Sequence, residues 1–116
     1  MEFKYTGELV DDKPHGEGEL ITPLSSYKGH FVEGHKNGVG ELYRLDPEGN
    51  QEYYKGQFKD NKFNGVGRLE HTNKDVYFGE FRYGAFNGEG KYTWNKSGDE
   101  YTGTFVNGKR QGKGEL

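Results

Sequence analysis

Apolar residues along this chain recur in a fixed pattern with glycine. Taking Tyr5, Tyr27, Tyr54, Tyr77 and Tyr101 as origins, glycine returns two positions on, at Gly7, Gly29, Gly56, Gly79 and Gly103. Four positions on stand Leu9, Phe31, Phe58, Phe81 and Phe105. Glycine pairs follow eleven and thirteen on, from Gly16/Gly18 to Gly112/Gly114, and Leu20, Leu42, Leu69, Tyr92 and Leu116 stand fifteen on. Fifteen of the 20 glycines fall in these columns. The steps between tyrosines are 22, 27, 23 and 24, and all the variation lies after the sixteen-residue motif. A rigid unit with elastic connectors is the mark of a repeat array.

The elements follow from the pattern. Positions six and seven carry Asp11-Asp12, Glu33-Gly34, Asp60-Asn61, Tyr83-Gly84 and Asn107-Gly108. Gly, Asn and Asp tolerate positive φ, so this is two-residue hairpin chemistry between short antiparallel strands. Such a turn pairs position four with nine, two with eleven and zero with thirteen, setting Tyr27 opposite Gly40 and Gly29 opposite Gly38. Strand alternation then gathers Tyr, Gly, Phe, Gly, Gly and Leu on one face. The other face carries Thr6, Glu8, Glu17 and Glu19 in the first unit and Lys55, Gln57, Val66 and Arg68 in the third. Strand glycine costs about 0.5–1 kcal/mol relative to alanine, so its repetition implies close approach, with a ring lying over bare backbone. The expected fold is all-β: an open, single-layer antiparallel array of five β-hairpin repeats. It forms a twisted, curved ribbon of roughly 45–50 Å with one aromatic/glycine face. Residues 1–116 make a single domain.

Composition supports this reading. Leu, Ile, Val and Phe supply only 22 of 116 residues, which alone would suggest disorder. A net charge of only −3 and an aromatic content of 16% oppose it. Sixteen basic against nineteen acidic residues leave no electrostatic footprint for nucleic acid. No apolar run has the length of a membrane helix, and "MEFKYTGEL" is no signal peptide. The absence of cysteine excludes disulfides, thiol chemistry and cysteine-based zinc sites.

Units such as "YKGQFKDNKFNGVGRL" and "YTGTFVNGKRQGKGEL" closely resemble the MORN repeat, with YxGxF followed by GxGxΦ over about 23 residues per unit. The resemblance covers five units. Leu9 in place of the aromatic, Tyr92 in place of leucine and the "LDPEGNQE" insertion are the departures. It implies kinship with short proteins built almost only of MORN repeats, some linked to cilia, flagella and sperm.

Catalytic and metal chemistry finds little footing. "GEGEL" and "GVGRL" run into strand-type residues and carry no GK[ST], so the GxG pairs are packing glycines and not phosphate loops. Ser25, Ser26 and Ser97 lie in connectors, and His15, His30, His35 and His71 occupy four different columns. No nucleophile–base geometry or HExxH pair results. His30 and His35 with Glu33 are weighed as a metal site, and "DPEGNQE" as a calcium loop. The first reads better as hairpin polar residues, and the second, which lacks the spacing of an EF-hand loop, as a turn made by Pro47 and Gly49. No enzymatic activity, cofactor or metal is expected.

Two functions remain. The favoured one is a protein-binding scaffold, since a single layer cannot cover its own aromatic face. Phe63 and Phe86 at position nine join Phe31, Phe58, Phe81 and Phe105 in an apolar groove for a partner helix or extended peptide. The resemblance adds cytoskeletal, ciliary or flagellar assembly, with a cytoplasmic location as the default. The alternative is a peripheral membrane module that binds anionic phospholipids through Lys13, Lys36, Lys62, Lys109 and Arg110. Acids share those turns, which weakens it. The uncapped last motif suggests continuation of the array or self-association at the C-terminal edge.

Overall fold

The ten strands are set by the turns. In each unit both turn residues have positive φ, as at Asp60 (48°) and Asn61 (69°) or Asn107 (49°) and Gly108 (84°), which is the type I′ geometry that matches strand twist. The computed structural model describes residues 3–115, with side chains over 3–111. Its strands are β1 (Lys4–Val10), β2 (Lys13–Thr22), β3 (Ser25–Val32), β4 (His35–Leu45), β5 (Gln51–Lys59), β6 (Lys62–Glu70), β7 (Val76–Arg82), β8 (Ala85–Thr93), β9 (Glu100–Val106) and β10 (Lys109–Glu115). All pair antiparallel in chain order in one open sheet. The ribbon measures 48 × 28 × 17 Å. The fold is the all-β hairpin array that the repeat predicts.

The register within each hairpin differs from the expected one. Position four does face nine, as in Phe58 with Phe63, but Gly56 faces Gly67 and Tyr54 faces Leu69. Likewise Tyr27 faces Leu42 and Gly29 faces Gly40. A bulge intervenes in every unit, so that one residue on the first strand opposes three on the second. Glycine at position eleven permits it, with φ of 91° at Gly38 and 96° at Gly65. The two extra residues preserve alternation, so the predicted faces survive the shift.

Between units the pairing is regular, with Leu20 opposite Tyr27 and Gly18 opposite Gly29. Glycines therefore form one unbroken row across the sheet from Gly7 to Gly103, flanked by a row of Tyr and Leu. The rings of Tyr5, Tyr27, Tyr54 and Tyr77 lean over this row. A methyl group on Gly40 would stand 2.5 Å from Tyr27 Cε1 and 2.6 Å from Cζ. The Tyr27 hydroxyl passes over the glycine and donates to the His30 carbonyl at 2.8 Å. Tyr54 and Tyr77 donate equivalently to Gln57 and Glu80, each at 2.7 Å. These acceptors belong to the residue that the bulge leaves without a partner inside its own hairpin. In two units the same residue's side chain also serves the bulged amide: Gln57 Oε1 accepts from Val66 N–H at 2.7 Å, and Glu80 Oε2 from Glu89 N–H at 2.6 Å.

Neighbouring hairpins are joined at their turns. The position-seven amides of Gly34, Asn61, Gly84 and Gly108 donate to the carbonyls of Pro14, Lys36, Phe63 and Phe86 in the preceding unit, at 2.8–3.0 Å. Asn64 Oδ1 adds a bond from Tyr83 N–H at 3.0 Å.

Candidate functional site

Edge-to-face contacts run through the aromatic layer without a break: Tyr5, Phe31, Tyr27, Phe58, Tyr54, Phe81, Tyr77, Phe105 and Tyr101, with centroids 5.0–5.4 Å apart. Pairs of this kind contribute about 0.5–1.5 kcal/mol beyond area burial. Phe31, Phe58, Phe81 and Phe105 are consequently buried, and Phe63 retains only 6% of its surface. The expected groove is corrected here: these five rings form the ribbon's core and present no continuous open face to a partner, although Phe105 contributes to the wall of a cavity between the last two units. Phe86 alone of the six is half-buried. Substituting Phe63 would open the core itself, with a loss of about 3–5 kcal/mol on truncation to alanine.

Position nine covers the tyrosine of its own unit. Phe63 stacks on Tyr54 at 3.8 Å and Phe86 on Tyr77 at 3.9 Å, both within 8° of parallel. Lys36 Nζ lies 5.4 Å above Tyr27, and the Arg110 guanidinium 5.5 Å from Tyr101. A second cover comes from position seventeen. Arg44 lies 5.0 Å over Phe63, His71 packs on Phe86 at 5.9 Å, and Trp94 receives Arg110 at 5.3 Å. His71 meets Phe86 near edge-on, at 67°, so the three-layer sandwiches are two: Arg44–Phe63–Tyr54 and Trp94–Arg110–Tyr101. Cation and ring exchange places in the second. Sequence reasoning missed these sandwiches; the alternation of cation and aromatic between columns nine and seventeen is the signal that carries them.

Lys36 and Arg110 therefore lie on the aromatic face, where position nine places them, and stand over rings. Burial, and then the Arg44 charge, draw the Lys36 ammonium below the usual lysine range. Lys13, Lys62 and Lys109 remain exposed at turns.

Two acids sit among the connectors. Glu52 meets Arg44 in an ion pair and His71 at 3.6 Å, and His71, with Arg44, holds its carboxyl below the usual range against the opposing effect of burial. Buried Asp75 accepts from Asn95 N–H at 2.8 Å and from the Tyr92 hydroxyl at 2.7 Å. Those bonds depress its pKa, while burial and then Asp75 raise that of Tyr92. Asp46 accepts the amides of Glu48 and Asn50 at 3.0 and 2.8 Å, closing a local turn. His30 Nδ1 pairs with the Asn37 carbonyl and His35 Nδ1 with the Asn61 amide. Among the described residues no His, Asp and Glu cluster is arranged to hold a metal ion.

Where Arg110 replaces phenylalanine, the layer opens. A cavity of about 390 Å³ lies between the fourth and fifth units, walled by Phe86, Tyr92, Trp94 and Phe105 and rimmed by Gly108, Lys109 and Arg110. It brings together four of the residues singled out from the sequence: Phe86, Phe105, Lys109 and Arg110. Its volume falls in the range of about 300–1,000 Å³ typical of ligand sites. A smaller cavity, about 250 Å³, lies between connectors near Leu24 and Tyr43.

Comparison with protein families matches the MORN repeat to residues 5–23, 27–44, 54–76, 77–98 and 101–116. Comparison with curated proteins finds no match.

Proposed function

The chain belongs to the MORN-repeat family, a non-enzymatic repeat family whose members bind proteins or membranes; from that premise we propose that it is a scaffold that captures a peptide or helix of a partner protein. The supporting observation is the cavity at the fourth and fifth units, where the half-buried rings of Phe86, Tyr92 and Trp94 stand beside Lys109 and Arg110. Aromatic rings and arginine in a concave setting are the residues that anchor protein interfaces. The role proposed is that of an adaptor in a cytoplasmic assembly of the cytoskeletal, ciliary or flagellar kind. Membrane-surface binding has less support, because Lys36 and Arg110 lie over rings and the remaining turn lysines share their edge with Asp11, Asp12, Glu33 and Asp60.

Site-specific photo-crosslinking in cells tests the reading, with the crosslinker at Lys109 beside the cavity or at Val39 on the opposite face. A discrete protein adduct, identified by mass spectrometry, is expected from position 109 and not from 39. Equal adducts at both positions, or adducts only with lipid, would contradict it.

A further inference from the structure

Resting on the scaffold reading, we propose that the cavity between the fourth and fifth units accepts an acidic partner segment, which inserts an apolar or aromatic side chain beside a carboxylate held by Arg110. Three observations converge on that occupant.

The first is how Arg110 is held. Its guanidinium stands 5.3 Å from the Trp94 centroid and 5.5 Å from that of Tyr101. Stacking covers the planar faces of a guanidinium and leaves its N–H donors in the plane, where they suit bidentate binding of a carboxylate. Among the described residues Arg110 forms no ion pair, whereas Arg44 in the related sandwich is paired to Glu52. Among the described residues no group takes up those donors, and the two rings that flank the cation limit its freedom, which lowers the entropy lost on binding.

The second is the lining. Two cations, four rings and a glycine surround the space, and among the described residues no carboxylate lines it. The rings provide an apolar floor and the cations a polar rim, so a lone anion would leave the floor unused and a lone apolar group would leave the rim unpaired. A side chain of phenylalanine or leucine next to aspartate or glutamate satisfies both.

The third is the distribution of charge along the array. The first unit carries Glu8, Asp11, Asp12, Glu17 and Glu19 against Lys13 alone. The fifth carries Lys109, Arg110 and Lys113 against Glu115. An acidic segment is therefore drawn to the cavity end and repelled from the other, which steers encounter and fixes orientation.

Trp94 is the only tryptophan in the chain, so its fluorescence reports this cavity alone. The 116-residue protein is titrated with a short peptide holding one phenylalanine between glutamates. Further arms use the same peptide with serine for phenylalanine, a version with lysines for glutamates, and vesicles of phosphatidylcholine with phosphatidylserine. Saturable, salt-sensitive change of Trp94 emission is expected with the first peptide. Affinity should fall roughly tenfold or more with the serine version and with Arg110→Gln, and Arg110→Lys should restore it only in part. Arg110 is exposed, so these variants retain the fold, which circular dichroism checks. No saturable response to the first peptide, an equal response to the lysine version, or a response to vesicles alone overturns the proposal. A protein adduct at Lys109 in cells together with peptide failure defeats the acidic-segment assignment and leaves the scaffold; loss of both defeats both.

Discussion

Replacing Tyr54 by phenylalanine isolates one consequence of the repeated bulge. Tyr54 is 1% exposed, and its hydroxyl donates to the Gln57 carbonyl at 2.7 Å. Gln57 has no partner on β6, because the register passes from Gly56–Gly67 to Phe58–Phe63. The substitution keeps every ring contact, including the stack on Phe63 and the edges of Phe58 and Phe81. What it removes is one donor, leaving a carbonyl unsatisfied at a cost of about 1–3 kcal/mol. At this chain length that corresponds to a fall in Tm of about 4 °C for each kcal/mol. Tyr53→Phe is the control, since its hydroxyl bonds Glu41 at 3.2 Å on the polar face, and such surface changes stay within about 0.5 kcal/mol. Urea unfolding of both variants beside the natural chain gives the comparison. Equal stability of Tyr54→Phe and Tyr53→Phe would show that the hydroxyl does not close the bulge.

Other outcomes follow from the same geometry. Arg110→Phe restores the pattern of the third and fourth units, so it should raise stability by about 0.5–1.5 kcal/mol while abolishing the Trp94 response to the glutamate–phenylalanine peptide; a less stable variant, or one that still binds, refutes it. Burial raises the Tyr27 and Tyr77 hydroxyls to about 12 and also pushes that of Tyr54 above the usual tyrosine range. The folded state then holds protons that the unfolded chain releases near pH 10, so stability is complete below that pH and declines toward pH 12; an unfolding free energy flat across this window contradicts the burial. Asp75→Ala removes the acceptor of Tyr92 O–H and Asn95 N–H and should cost about 1–3 kcal/mol. Because the Asp75 pKa is depressed, its contribution is present above about pH 4 and lost as pH falls below it, which urea titrations of both chains at several acid pH values would reveal.

Much of this molecule was legible from residue spacing. Five tyrosine origins, three glycine columns and the Asp-Asp, Asp-Asn and Asn-Gly turns specify the hairpins, their faces and the ribbon's length. The register within a hairpin was not legible, because a turn counted as a simple ladder gives Tyr27–Gly40, whereas positive φ at Gly38 inserts two residues. Even so, a two-residue shift leaves side chains on the same face, so the aromatic layer came out right. Tyrosine opposite leucine, and glycine opposite glycine at position thirteen, would have been the better pairing rule. The candidate site was legible only at its residues. Phe31, Phe58, Phe63, Phe81 and Phe105 look like a groove when a single layer is taken as unable to cover its own aromatic face, but edge-to-face packing with the tyrosines and with one another buries them. What remains open depends on one substitution in column nine, Arg110 for phenylalanine, combined with Trp94 in column seventeen.

The central claim is that tyrosine rings require bare glycine backbone beneath them. The first unit allows the most direct test, since four hairpins remain if β1 is weakened. A methyl on Gly18 would lie 2.6 Å from Tyr5 Cε1 and 2.7 Å from Cζ. Gly18→Ala is measured in the natural chain and in a Tyr5→Ala background, by urea unfolding and by amide exchange across the β1–β2 pairing. In the natural chain it should cost about 1–3 kcal/mol through overpacking. Without the Tyr5 ring it should be neutral, or stabilising by up to about 1 kcal/mol from reduced backbone entropy. The same loss in both backgrounds would contradict the account.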